Sequence, residues 1–409
     1  MVSTAQHLAD LAAALSARGH EVTVIAARRA YDDPRKRFSK QETWKGVRIL
    51  RVNCTTFGKH AKWRRSLDFL SFILLCCCRA LFLPSQNVVV ALTSPPLISV
   101  PGLLLARLWR GCFVYWVMDL NPDEAVAAGW LPAGSLSARL LNWGSRLSLR
   151  EADKVIALDR FMCAQLCQKG VSPRRIRILP PWSHDEQVRF DPIGRRRFRQ
   201  RHGLEGKFVV MYSGNHSPCH PLDTVTAAAQ RLGAQQDIIF CFVGGGSEFR
   251  KIQGLLAAMD PDPGAHAANP SRLSIVCLPY QPLDELSASL SAADLHLTVL
   301  GDRFVGLVHP CKIYNILRVG APVLYIGPRP SSVSDALAAA DGSVVSVWVR
   351  HGDIEGLVKE IERLRSASRQ LVRPLPPGES SSPFSQAKLV AAFVRLLEET
   401  RENAERLKR

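Results

Sequence analysis

Short apolar segments that lack period-2 alternation recur along this chain, separated by longer helical stretches. Val22–Ala26, Val47–Val52, Val88–Leu92, Phe113–Val117, Lys154–Leu158 and Ile176–Leu179 form a first set. Phe208–Ser213, Ile238–Val243, Leu273–Cys277, Leu295–Val299, Pro322–Ile326 and Val344–Val347 form a second. A strand with one wet face alternates apolar and polar residues; a strand covered by helices on both faces does not. Strand–helix alternation of this kind specifies parallel sheets sandwiched between helices. The predicted fold is therefore α/β, with two doubly wound, Rossmann-like domains facing a central cleft.

The two sets are divided by LPPWSHDEQVRFDPIG, whose prolines and polar residues mark a linker. This assigns residues 1–182 to an N-terminal domain, 183–194 to the linker and 195–372 to a C-terminal domain. RPLPPGESSSP (373–383) is a second loop, and residues 384–408 form a closing helix. The start is unusual. MVSTAQHLADLAAALSARGHEV opens on a helix ended by Gly19, with a strand after it. A doubly wound domain places a strand before its first helix, at the centre of the sheet. The first N-terminal strand is read as missing, with Val2–Thr4 a remnant of the loop that would follow it, and an interruption is expected in the N-terminal sheet.

The chain has 409 residues and a formal net charge of +17, which favours a polyanionic partner: nucleic acid, an anionic membrane surface or a phosphorylated ligand. Aromatic residues make up only 7 %, and no nucleic-acid motif is present, so nucleic acid is not expected. The eleven cysteines lie mostly in apolar runs, such as Cys76, Cys77, Cys78, Cys241 and Cys277, and read as reduced core thiols of a cytosolic protein. Cys163 and Cys167 lack a second pair at zinc-site spacing, so no metal is expected. No secretory signal is visible. Leu67–Leu83 carries Asp68 and Arg79 and falls short of the ~20 residues of a spanning helix. KWRRSLDFLSFILLCCCRALFLP combines a broad apolar helix with Lys62, Arg64 and Arg65, and Lys59 precedes it. It suits insertion at an anionic bilayer surface and equally a buried packing helix.

Four stretches carry chemistry. In FVVMYSGNHSPCHPLDTV a strand, a small-residue loop and a helix follow one another. Gly214 permits close backbone approach, the helix N-terminus offers N–H groups to an anion, and His216 and His220 add candidate cationic donors. A tight turn with no ligand has the same pattern. IIFCFVGGGSEFRKI repeats the design with Gly244, Gly245 and Gly246, at an entropic cost that suggests a backbone needed near a ligand. It does not have the G-x-G-x-x-G spacing, so no nicotinamide cofactor is indicated. In VHPCKIYNILRVGAPVLYIGP, Pro310 opens a helix and Gly320 ends it. Lys312 in the first turn opposes the helix dipole unless an anion binds there; the alternative is a solvated surface lysine. In VYWVMDLNPDEAVAAGWL, Asp119 and Glu124 follow a parallel strand and suit an acceptor hydroxyl, its proton or a cation, while Asp123 suits helix capping.

At these residues the sequence resembles the retaining GT-B glycosyltransferases of family 4 (group 1), in the bacterial surface-polysaccharide branch with the fucosaminyltransferase and colanic-acid-type enzymes. LADLAAALSARGHEVTVI, ALTSPPL, MDLNPDEAVAAGWL, EADKVIALDRFM, YSGNHSPCHPLDTV, FVGGG, LPYQPLDELSASLSAADLHL and HPCKIYNILRVGAPVLYIGP carry the likeness, in order, across nearly the whole chain. The resemblance implies transfer of a sugar, of hexosyl type, from a nucleotide-diphosphate donor to a lipid-linked acceptor at the inner face of the plasma membrane, without a cofactor or metal ion. It implies that Gly214, Asn215 and Gly244–Gly246 lie near the diphosphate or sugar. Tyr280 would border the base, Cys311 and Lys312 the diphosphate, and Asn315 the ribose or sugar. Two departures stand out. Leu307 and Asn315 occupy the positions of the family's E-x7-E motif, and the loop after Gly214 lacks the usual Arg and Lys. Nucleotide-sugar 2-epimerases share the architecture, and a non-catalytic, truncated paralogue is a third reading.

Overall fold

The computed structural model describes residues 3–30, 35–57, 62–184, 187–233, 235, 237–259, 274–340, 342, 344–367 and 382–408. Lys59, the start of the strand predicted at Leu273, Val2 and most of the loop 373–383 lie outside the described residues. Two compact units emerge: Met1–Pro181 with Ala387–Arg409, and Trp182–Gln386.

The first unit runs α1 (Ser3–Ala17), β1 (Thr23–Ala27), β2 (Gln41–Trp44), β3 (Val47–Val52), α2 (Lys62–Leu81), β4 (Val88–Ala91), α3 (Ser99–Leu108), β5 (Cys112–Trp116), α4 (Asp123–Ala127), α5 (Leu136–Glu151), β6 (Lys154–Ala157), α6 (Arg160–Gln168) and β7 (Ile176–Ile178). Helix starts follow local chemistry. The Ser135 hydroxyl accepts from Ala138 N–H to begin α5, and Asp159 accepts from Met162 N–H to begin α6. The strands form two sheets. One is β1-β3-β2; the other is the parallel sheet β4-β5-β6-β7. Strands β1 and β4 are edges of separate sheets. Strand β2, which was not anticipated, pairs antiparallel with β3 through a two-residue turn. Lys45 and Gly46 both adopt positive φ there, as a hairpin turn matched to strand twist requires.

The second unit runs α7 (Pro192–Arg201), β8 (Phe208–His216), α8 (Asp223–Arg231), β9 (Ile238–Gly246), α9 (Ser247–Met259), β10 (Ile275–Leu278), α10 (Leu286–Ser291), β11 (Leu295–Val299), α11 (Lys312–Val319), β12 (Val323–Ile326), α12 (Ser332–Ala339), β13 (Ser346–Val349) and α13 (Ile354–Ala367). Its sheet is parallel throughout, in the order β10-β9-β8-β11-β12-β13. The order reverses between β8 and β11, and a doubly wound sheet opens its ligand crevice at the carboxyl ends of the strands at such a point. One face of the sheet buries Val210, Tyr212, Phe240, Phe242, Leu297 and Leu324 under α8, α9 and α13. The other buries Val209, Met211 and Cys241 with Phe198 of α7.

The closing helix α14 (Gln386–Lys408) is part of the first unit. Phe393 meets Trp116 of β5 edge-on at 4.6 Å between ring centroids, and both are buried. The Cys112 thiol donates to the Thr400 carbonyl at 3.4 Å, and His20 and Arg18 reach Glu398. The eleven cysteines are free thiols. Burial pushes those of Cys76 and Cys241 up to about 12, which leaves them protonated and inert.

Candidate functional site

The second unit builds one constellation at its switch point. Strands β8 and β9 run parallel to their last residues, in the register Gly214↔Gly244, Asn215↔Gly245, His216↔Gly246. Gly214, Gly244 and Gly246 have φ of 132°, 137° and 138°. A Cβ on Gly244 would sit 2.0 Å from the Gly214 carbonyl oxygen, and one on Gly246 2.1 Å from that of His216. Two strand ends therefore come together closely only because they are bare, and α9 starts immediately after them. Its first turn adds unpaired backbone N–H groups at the same place.

Lys312 opens α11 beside these strand ends. A Cβ on Gly214 would lie 3.3 Å from the lysine Nζ. That Nζ is buried, stands 3.6 Å above the Tyr212 ring and has no hydrogen-bond partner among the described residues. Burial holds its pKa well below the usual lysine value. The reading of a solvated surface lysine is thus excluded. Tyr212, which the sequence reasoning passed over, donates from its hydroxyl to the Asn215 carbonyl at 3.0 Å and so fixes the ring beneath the ammonium. Asn215 itself is exposed near the end of β8.

His216 and His220 do not act as the cationic donors expected of them. Burial, and then the neighbouring Lys312, lower both to about 3, so both imidazoles are neutral at physiological pH. His216 Nδ1 bonds the Gly214 carbonyl at 2.8 Å, and its ring packs against Tyr212 and Phe249. His220 Nδ1 bonds the Val299 carbonyl at 2.7 Å, tying the loop after β8 to the end of β11. Both histidines shape the loop, and Lys312 is left as the cationic side chain next to the glycines.

Tyr280 lies against the same turn. Its hydroxyl donates to the Gly245 carbonyl at 3.1 Å, and its ring is largely exposed. Cys311 stands one residue before α11 with its thiol on the His309 carbonyl at 3.3 Å. Asn315 Oδ1 accepts from the His184 backbone N–H at 3.1 Å. Around it, His309 Nε2 meets the Tyr314 hydroxyl at 2.6 Å, and Tyr314 packs on Phe384. The Ser183 backbone N–H donates to the Phe384 carbonyl at 3.0 Å. Segments 182–184 and 384–386 are thereby fastened to the first turns of α11.

The first unit places Asp119 in the loop that leaves β5 and Glu124 in the first turn of α4. Thr93 Oγ1 accepts from the Asp119 backbone N–H at 3.3 Å, and Glu124 Oε2 accepts from Asn121 Nδ2 at 3.2 Å. Asp123 does not cap α4 as expected. Its carboxylate pairs with Lys169 at 2.8 Å, and α4 begins after Pro122 without a side-chain cap. Among the described residues, no group of three or more His, Cys, Asp or Glu is arranged to hold a metal ion, and no helix is long and apolar enough to cross a membrane.

Comparison with known proteins accords with this geometry. Residues 4–182 match the family model of the glycosyl transferase 4-like domain. The chain is 27 % identical over 276 residues to the putative colanic acid biosynthesis glycosyl transferase WcaI of Escherichia coli, across 66 % of this chain and 64 % of that protein. It is 25 % identical over 248 residues to the probable glycosyltransferase WbjE of Pseudomonas aeruginosa, across 61 % of this chain and 59 % of that protein. The chain thus spans about two thirds or less of the curated relatives it matches. Among solved structures it is similar to Anabaena HepE in complex with UDP and glucose, with a TM-score of 0.63 at 14 % identity, covering 87 % of each chain. It is also similar to WaaG, a glycosyltransferase involved in lipopolysaccharide biosynthesis, with a TM-score of 0.62 at 18 % identity, covering 98 % of this chain and 94 % of that one. The expected GT-B fold is borne out.

Proposed function

We propose that this chain is a family 4 (group 1) glycosyltransferase that moves a sugar from a nucleoside-diphosphate donor to a lipid-linked acceptor in surface-polysaccharide synthesis; the match of residues 4–182 and the GT-B fold support the reading. The observation that carries the reading is Lys312: a buried side-chain nitrogen with no hydrogen-bond partner among the described residues, beside the bare end of β8 at Gly214. A buried cation is costly until an anion meets it. A diphosphate at this place would receive the ammonium, the first N–H groups of α9 and the positive end of α11 together.

In the proposed reaction the bond between the sugar's anomeric carbon and the diphosphate oxygen breaks, and a bond to the acceptor hydroxyl oxygen forms. The nucleoside diphosphate leaves with the electron pair. Lys312 and the helix termini stabilise the negative charge that grows on it, a form of preorganised electrostatic catalysis. Asp119 or Glu124 takes the acceptor's proton or orients its hydroxyl. Retention of configuration and a hexosyl donor belong to the same proposal, as does a place on the inner face of the plasma membrane.

The test is a panel of nucleotide sugars, first titrated into the protein and then incubated with it and membranes, with mass analysis of the lipid fraction. Transfer of one sugar to lipid is the expected result. Absence of binding and hydrolysis with every nucleotide sugar would overturn the reading. Product formed without any acceptor would point to an epimerase instead.

A further inference from the structure

The surroundings of Lys312 decide whether its side chain carries a charge. An ammonium has three protons to share, and Nζ finds no acceptor for them among the described residues. A dry site of this kind favours the neutral amine. The neighbouring elements do little to offset that. β8 brings the Tyr212 ring and His216, and the loop after β8 brings His220; a charge on Lys312 and one on either imidazole oppose each other. The Cys311 thiol acts the other way, more weakly than burial. On α9, the Glu248 carboxylate is engaged with Lys251 at 2.9 Å. Of the other elements packed on α11, β11 carries His296, whose Nε2 meets the Leu290 carbonyl at 3.0 Å. α12 carries Asp335 in its first turn, and α10 carries no titratable residue.

A second nitrogen stands in the same position. His216 Nδ1 must donate to the Gly214 carbonyl, which leaves a lone pair on Nε2. That Nε2 is also buried, with no hydrogen-bond partner among the described residues. The empty site therefore holds two bare bases beside the glycine turn and no proton for either. A diphosphate arriving there changes the balance, because an anion in a dry site favours the charged form of a base next to it. The amine is the stronger base of the two, so the proton goes to Lys312.

We propose that a diphosphate enters this site together with a proton: Lys312 is a neutral amine while the site is empty, takes one proton from solvent as the diphosphate binds, and returns it when the nucleoside diphosphate leaves. This rests on the diphosphate reading of the site and adds to it the way in which pH governs occupancy. The bound state holds one proton more than the free state. Affinity therefore falls as pH rises, by about tenfold per pH unit wherever the free amine is neutral and the bound one charged.

The test is calorimetric titration of UDP, GDP and dTDP into the full chain, in buffers of different ionisation enthalpy. At pH 8 the terminal phosphate of the nucleotide, with a pKa of about 6, is already ionised and contributes no protons. The wild type is expected to take up close to one proton per nucleotide at pH 8, and to bind about tenfold more weakly at pH 9. Lys312→Arg keeps a permanent charge and Lys312→Met has none. Both are expected to take up no proton and to bind with an affinity that changes less than about twofold between these pH values. Thermal melting confirms that each variant is folded, and either variant alone locates the proton. Binding by the wild type without proton uptake overturns the proposal and leaves the diphosphate site standing. Uptake that survives in Lys312→Met or Lys312→Arg puts the proton on another group and overturns it too. Absence of binding with all three nucleotides removes both this proposal and the reading beneath it.

Discussion

Replacing Lys312 by Met separates the two things this lysine does. Methionine keeps the stem over Tyr212 and removes the ammonium. In the ligand-free chain burial favours the neutral amine, and the unpartnered Nζ costs about 1–3 kcal/mol as a buried polar group without a hydrogen bond. Lys312→Met is therefore expected to stabilise the second unit by about 1–3 kcal/mol. For a unit of roughly 200 residues that raises the melting temperature by about 2–12 °C. Binding should move the other way. Loss of a desolvated charge contact costs about 2–5 kcal/mol, which is about 30- to 5,000-fold in the affinity for a nucleoside diphosphate. Scanning calorimetry and titration calorimetry on the same two proteins read both effects. A lower melting temperature together with an affinity within about threefold of wild type would show that Lys312 is a packing residue and that the anion site is misplaced.

Three further outcomes follow from the geometry. Gly244→Ala should cost more than about 2 kcal/mol, because its Cβ would meet the Gly214 carbonyl at 2.0 Å; Gly245→Ala should melt near wild type, since only the Tyr280 ring stands near it. Asn315→Ala should lose about 1–2 kcal/mol by orphaning the His184 N–H, and Asn315→Asp should recover most of it; equal melting of all three would refute the positioning role. His220 is near 3 in the folded chain and near 6.5 when unfolded, so the unfolded state binds more protons between those values and stability falls as pH drops through that window. Between pH 7 and pH 5 this loss is roughly 2 kcal/mol, and His220→Gln, followed by denaturant titration at both pH values, should remove it.

The parallel architecture was legible because β5, β8 and β11 are short apolar runs that cannot be wet on either face. The glycine turns were legible for a similar reason: three adjacent glycines directly after a strand have few structural excuses. Strand β2 was not legible, since Gln41–Trp44 has almost no apolar pattern and takes its place from the Lys45–Gly46 turn and from pairing with β3. The electrostatics of the site were hidden for a different reason. Position in a first turn marks Lys312, but its burial depends on Tyr212, a hundred residues earlier in the chain. The same burial neutralises His216 and His220, whose residue type alone suggested cations. The contact of Asn315 was hidden because its partner, His184, lies 131 residues away and offers only a backbone N–H.

The position of α14 has a consequence for synthesis. Phe393 and Thr400 complete the packing around Trp116 and Cys112, yet they are translated after the whole second unit. While the ribosome is still at work, the first unit has its sheets but not the helix that covers β5. The second unit is contiguous in sequence and can close first, even though it is made later. The first unit to begin emerging is therefore the last to have all its residues. A nascent protein stalled before residue 386 would present Trp116 to chaperones and proteases, which gives the cell a means of recognising an unfinished copy.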